Sequence, residues 1–130
     1  MSTRAVFTGS LVAILLGLVG CAAIIVGAGA GAGVYTWVKG ELIRSYANDL
    51  THTENTTIHS LEYLKIIVDE TNRSGSQTII NAHQSDDSPV TVTIRSLRYN
   101  MTEVGVRCGV IGYWDRKTAE LIHATILNRI

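Results

Sequence analysis

Read from its amino terminus, the chain divides sharply by polarity. No charged side chain occurs between Ala5 and Val38, and Leu11 to Val19 (LVAILLGLV) forms a compact apolar run inside that stretch. Beyond Lys39 the pattern changes to alternation and helical spacing, as in an ordinary folded domain. Tyr35 to Ser45 reads as a first strand, with Tyr35, Trp37 and Leu42 on one face and a break at Gly40. Asp49 and Thr51 are candidate helix caps, after which Ile58, Leu61, Leu64 and Val68 recur at helical spacing. The helix is expected to end near Ile66, followed by a short extended piece at Ile67 to Glu70 and a polar loop from Thr71 to Ser76.

Three strands are expected next, over Gln77 to Gln84, Pro89 to Arg98 and Thr102 to Val110. Val90, Val92 and Ile94 point inward with Val104, Val106, Cys108 and Val110, while Thr91, Thr93 and Arg95 point outward; this marks an antiparallel sheet with one buried face. Paired residues share a face, so a three-residue loop Tyr99-Asn100-Met101 sets Ile94 opposite Val106 and Val92 opposite Cys108. The same register puts Arg107 opposite Thr93 and diagonal to Arg95. Gly112 breaks the last strand, Asp115 caps a final helix, and Ala119, Ile122, Ile126 and Ile130 form its apolar stripe. The fold class is therefore α+β: an antiparallel sheet of about four strands with two helices on one face, in the order β-α-β-β-β-α.

The amino-terminal stretch has the layout of a secretory signal, a short positive start at Arg4 followed by the apolar run. It ends not in a small-x-small site but in Leu18-Val19-Gly20-Cys21, the lipobox pattern in which a thiol is presented to a lipid transferase at the membrane face. The expected division is a lipoprotein signal peptide over 1–20, a lipidated Gly/Ala-rich tether over 21–33 and a small α+β domain over 34–130. The alternative is a retained transmembrane helix over residues 5–33, long enough to span a bilayer. Against it stand Gly27, Gly29, Gly31 and Gly33, each costing a helix about 1 kcal/mol relative to alanine. The tract Gly27 to Gly33 (GAGAGAG) is not a dinucleotide fingerprint, since it follows a lipobox and runs into strand-like sequence rather than opening a helix.

Charge and cysteine content narrow the function classes further. Lys+Arg and Asp+Glu both total 11, so no strong field would draw nucleic acid, and no nucleic-acid partner is expected. Two cysteines, Cys21 and Cys108, are too few for a disulfide framework. His52, His59, His83 and His123 lack the close spacing of a zinc site, and Asp86 with Asp87 suits a turn better than an acid–base pair. Cys108 lies on an inward face, where a small buried hydrophobe is expected rather than a nucleophile. Arg95 and Arg107, with Thr91 and Thr93, are the candidate interaction face, a basic, hydroxyl-bearing patch on the outward side of the sheet. Trp37 and Trp114 are either core residues or contact anchors. No catalytic residue, metal site or cofactor is expected beyond the covalent lipid on Cys21.

Two tracts carry a family likeness. GAGAGAG-x-Y-x-W-V-K-G-E-L (Gly27 to Leu42) behind a lipobox, and Thr102 to Gly112 (TEVGVRCGVIG), resemble a domain-of-unknown-function family of small Gram-negative lipoproteins. The chain departs from the family's strand motif at Val106, where isoleucine is usual, and at Cys108, where a small aliphatic residue is usual. The resemblance implies lipidation at Cys21, an envelope location and a small α+β domain, and implies no activity. The expected function is a non-enzymatic envelope lipoprotein with a structural or protein-interaction role, its membrane partner reached through the lipid. With Ala22 after the cysteine, it is expected in the outer membrane facing the periplasm. The rivals are a bitopic subunit of a membrane complex, spanning with residues 5–33, and an anchored ligand-binding domain using Arg95 and Arg107.

Overall fold

The structure, a computed structural model, describes residues 35–130. Cleavage after Gly20, lipidation at Cys21, the tether over 21–33 and the alternative span over 5–33 all fall outside the described residues. The elements run β1 (Thr36–Val38), β2 (Glu41–Tyr46), α1 (Leu50–Tyr63), β3 (Ile67–Ser74), β4 (Gln77–His83), β5 (Pro89–Arg98), β6 (Met101–Val110), β7 (Tyr113–Trp114) and α2 (Arg116–Arg129). The strands form one antiparallel sheet in the order β1-β2-β6-β5-β4-β3, with β7 folded back on β6.

The fold class is α+β, as the alternation implied, but seven strands replace the four expected. Of the three additional strands, β7 is the two-residue return Tyr113–Trp114 on the end of β6, and the other two have separate causes. Lys39 and Gly40 both take positive φ, so the break at Gly40 is a two-residue hairpin turn that splits the first strand into β1 and β2. Trp37 still shares a face with Leu42, because the two are directly paired. β3 is a sheet edge whose residues are nearly all exposed, so it carries no apolar rhythm and reads as loop from Thr71 onward.

The core is the inward face of four strands. Leu42 and Tyr46 of β2, Ile80 and Ala82 of β4, Val90, Val92 and Ile94 of β5, and Val104, Val106 and Cys108 of β6 are all buried. Val106 and Cys108 thus fill ordinary core positions. Each fully buried aliphatic side chain contributes about 1.5–3 kcal/mol. α2 covers the face with Ala119, Ile122 and Ile126, and Asp115 caps it by accepting from the Thr118 backbone N–H.

α1 buries a different kind of face. Asp49 caps it, accepting from His52 N at 2.7 Å, and the buried residues are Thr53, Glu54, Thr56, Thr57, Ser60 and Leu61. Thr53, Thr57 and Ser60 each donate their hydroxyl to the carbonyl four residues back, so these polar groups are buried without being left unpaired. Glu54 is held by Arg73 of β3 and by Thr78 of β4 at 3.0 Å, which ties the helix to the sheet edge.

The β5–β6 register differs from the expected one by two residues. Ile94 faces Val104, Val92 faces Val106 and Val90 faces Cys108. The turn is the two residues Tyr99-Asn100, with Asn100 at φ 52°, and the register shifts between Ser96 and Arg98. That bulge adds the odd residue a tight turn would otherwise lack, so the inward faces stay in phase.

One buried polar pair fixes α2 against β2. His123 is fully buried; its Nε2–H donates to the Leu42 carbonyl at 2.8 Å, and its Nδ1 accepts from the Tyr46 hydroxyl at 2.8 Å. Burial pushes the imidazole pKa down to about 4 from 6.5. A base with a depressed folded pKa binds fewer protons than the unfolded chain between the two values, so stability is fully present above pH 6.5 and falls as pH drops toward 4. The expected loss across that window is roughly 3 kcal/mol in urea unfolding, at 1.4 kcal/mol per pKa unit. His123→Gln is expected to lower stability at neutral pH and to flatten that acid slope; an unchanged slope would refute the assignment.

Candidate functional site

The four residues expected to form an interaction face, Thr91, Thr93, Arg95 and Arg107, do lie together on the outward side of the sheet, opposite the helices. Their arrangement is not the expected one. Arg107 pairs with Thr91 rather than Thr93, and Arg95 pairs with Glu103. The two arginines are thus four residues apart along the ladder, about 13 Å, and not diagonal neighbours. Nor is the patch basic. Arg95 donates to Glu103 at 3.1 Å, and Arg107 lies 3.7 Å from Glu41. The sequence reading missed both acids because Glu103 and Glu41 reach the arginines only once the true register and the β2–β6 pairing are known.

What this face offers is a flat, neutral surface. Ile43, Gly105, Thr93 and Ile79 lie in one row across β2, β6, β5 and β4. On one side lies the row Glu41, Arg107, Thr91 and Asn81, and on the other Ser45, Glu103, Arg95 and Gln77. Gly105 keeps the centre low: a Cβ there would meet the Glu41 side chain, which lies across it. Ion pairs therefore border a strip of threonine and isoleucine that neither described helix covers.

One end of this face is built from the motif residues. The Arg107 guanidinium lies 5.4 Å from the Trp114 ring centroid, and that ring packs over Gly40. Trp37 is covered in the same way by Arg116 at 5.4 Å. Both tryptophans are half-buried under arginines, so neither is a bare contact anchor. The tracts around Gly40-Glu41 and Gly105-Val106-Arg107, far apart in sequence, converge here because β2 pairs with β6.

The remaining candidates are dispersed. Cys108 is buried and its thiol is pushed up to about 12 by burial, which keeps it protonated and unreactive. His52 and His59 are exposed on α1, His83 bonds to Asp69 at 2.8 Å, and His123 is the buried clamp. Among the described residues no group of three His, Cys, Asp or Glu side chains could hold a metal ion. Asp86 is a turn residue whose carboxylate is held below its usual pKa by Ser88, first through the side-chain hydroxyl and then through the backbone N–H, which donates at 3.0 Å. The cavities are shallow and lie between helix ends: one of about 120 Å³ is lined by Leu64, Ile66, Thr118 and Leu121 among others, and none described gathers the outward-face residues.

A second polar cluster was not foreseen. Arg44 of β2 points inward, 7% exposed, between the rings of Tyr35 and Tyr46 at 5.3 and 5.2 Å from their centroids. Its Nη1 donates to the Tyr35 hydroxyl at 3.1 Å, and its buried Nε has no partner. The alternation hid it, because an arginine at an inward position reads as a flaw in the pattern rather than as a site.

Replacing Gly40 tests the motif end. Its φ of 82° and the Trp114 ring both oppose a side chain, so Gly40→Ala is expected to cost roughly 3 kcal/mol, combining left-handed backbone strain with overpacking. Gly75 has φ 60° but open space, so Gly75→Ala is expected to cost only the strain. Thermal unfolding followed by circular dichroism compares the two; equal melting temperatures would refute the role of Trp114.

A comparison with curated proteins finds no match. The sequence matches a protein-family model over residues 4–129, nearly its whole length, including both motif tracts that meet around Trp114. The chain belongs to that family, a protein of unknown function (DUF3568).

Proposed function

We propose that the chain is a membrane-anchored envelope lipoprotein, acylated at Cys21, whose domain is a non-catalytic protein-interaction module presenting the outward face of its sheet. The observation that carries the anchor is the uncharged stretch from Ala5 to Val38, interrupted at Leu18-Val19-Gly20-Cys21 directly behind a nine-residue apolar run. Among the described residues no helix is long and apolar enough to cross a membrane. The non-catalytic reading is supported by the burial of Cys108 and by the burial of the Tyr46 hydroxyl together with the His123 ring that accepts from it. The interaction reading is supported by the half-buried outward row of Ile43, Gly105, Thr93 and Ile79, crossed at Gly105 by the Glu41 side chain, with Thr91 beside it and the Arg95–Glu103 and Arg107–Glu41 pairs at its margins. A charge-paired margin sets register with a partner more than it supplies affinity. It also weakens the rival reading of this face as an anion-binding surface, since each arginine already has a carboxylate.

The second reading is a bitopic subunit, favoured by the length of the uncharged stretch over residues 5–33. Intact-mass measurement of protein extracted from its native membranes separates the two. A mass lacking Met1 to Gly20 and carrying added acyl chains, absent from a Cys21→Ser variant, is the expected result. A full-length unmodified mass would overturn the lipoprotein reading.

A further inference from the structure

The Arg44 cluster has a charge imbalance that the fold does not resolve. A guanidinium stays protonated at any physiological pH, and a buried cation without a counter-ion is strongly unfavourable. The ion pairs among the described residues are Arg73–Glu54, His83–Asp69, Arg95–Glu103, Arg107–Glu41 and Arg116–Glu120, none of which includes Arg44. Residues 1–34 cannot supply the missing charge, because they contain no aspartate or glutamate. The neighbours are neutral as well. His123 carries its one proton on Nε2 and accepts at Nδ1, and burial raises the Tyr46 phenol pKa above its ordinary value.

We propose that Arg44, with the Tyr35 hydroxyl, forms a binding site for a phosphate oxyanion, carried by a phospholipid headgroup or free in solution. The geometry suits such a ligand. Tyr35 accepts from Arg44 Nη1, which leaves its own hydroxyl proton to donate to an approaching oxygen. Both aromatic rings lie within cation–π distance of the guanidinium, and its buried Nε keeps a donor that no group of the described domain takes up, which a planar oxyanion edge can accept from. A headgroup source is near at hand in sequence, since only Val34 separates Tyr35 from the tether over 21–33 that follows the proposed lipid attachment. That source rests on the membrane anchor proposed above, whereas the anion site does not.

The test uses the full chain in a phosphate-free maltoside detergent at constant ionic strength set with chloride. Thermal unfolding is followed with added inorganic phosphate in one arm and with added phosphatidylglycerol in the other. The wild type is expected to melt at a higher temperature in at least one arm, by linkage to the folded state. A response to phosphate ion places the ligand in solution; a response to phospholipid alone places it in a headgroup. Arg44→Met is expected to lose the response and, with no anion present, to be at least as stable as the wild type, because a buried unpaired charge has been removed. Tyr35→Phe keeps the charge and is expected to bind roughly fivefold more weakly, as for loss of one hydrogen bond. No wild-type response in either arm, or the same response in Arg44→Met, overturns the site, and so does an Arg44→Met protein markedly less stable than wild type with no anion present, which would make Arg44 a structural cation held by its two rings. An Arg44→Met protein that does not fold is the extreme of that last outcome and overturns the site as well. The acyl mass at Cys21 is measured independently, so failure of the lipid arm and failure of the anchor remain distinct.

Discussion

An antiparallel sheet with alternating polarity has one face that must leave water, and in this protein every other feature follows from how that face is covered. The inward residues of β2, β4, β5 and β6 supply ten buried hydrophobic side chains, and two helices of fourteen residues each close over them. The closure is held at chosen points rather than by apolar contact alone. His123 and Tyr46 fasten α2 to β2, and Glu54 with Arg73 and Thr78 fastens α1 to the β3–β4 edge. Buried polar groups of this kind are costly unless satisfied, and when satisfied they discriminate one arrangement of helices from its near neighbours.

Covering one face leaves the other open. The outward face is flat because Gly105 lies at its centre, and neutral because each of its arginines meets a glutamate. Trp114, clamped between Gly40 and Arg107, stiffens one end of that face. Gly40, Arg107 and Trp114 thus shape one end of that face, while Val106 and Cys108 fill core positions beneath it. Surface shape is held by glycine and tryptophan, and the interior needs only volume and polarity.

Much of the domain was legible in the sequence, and the failures have definite causes. β5, β6, the caps Asp49 and Asp115, and the stripe of Ala119, Ile122 and Ile126 follow from period-two and period-3.6 patterns that burial enforces. β3 escaped because an exposed edge strand is under no such pressure. The Thr53–Ser60 face of α1 escaped because hydroxyls satisfied within the helix can be buried while reading as polar. The register slipped by two because alternation fixes the face of each residue but not its partner, and a bulge at Leu97 restores phase at no cost to the pattern. The same blindness to partners hid Glu103 and Glu41 from Arg95 and Arg107. Arg44 was hidden for the opposite reason, since its inward position is a departure from the pattern that only the surrounding rings explain.

The central claim is that the open sheet face is the working surface and the helical face is structural. Maleimide labelling of single cysteines introduced into the full chain, in intact envelopes and after purification in detergent, tests it directly. Cys108 is buried and protonated, so it contributes little background. Thr93→Cys, at the centre of the open strip, should be shielded in envelopes and reactive once purified, while Glu62→Cys on exposed α1 should react in both. Equal reactivity of the two positions in envelopes would contradict the account.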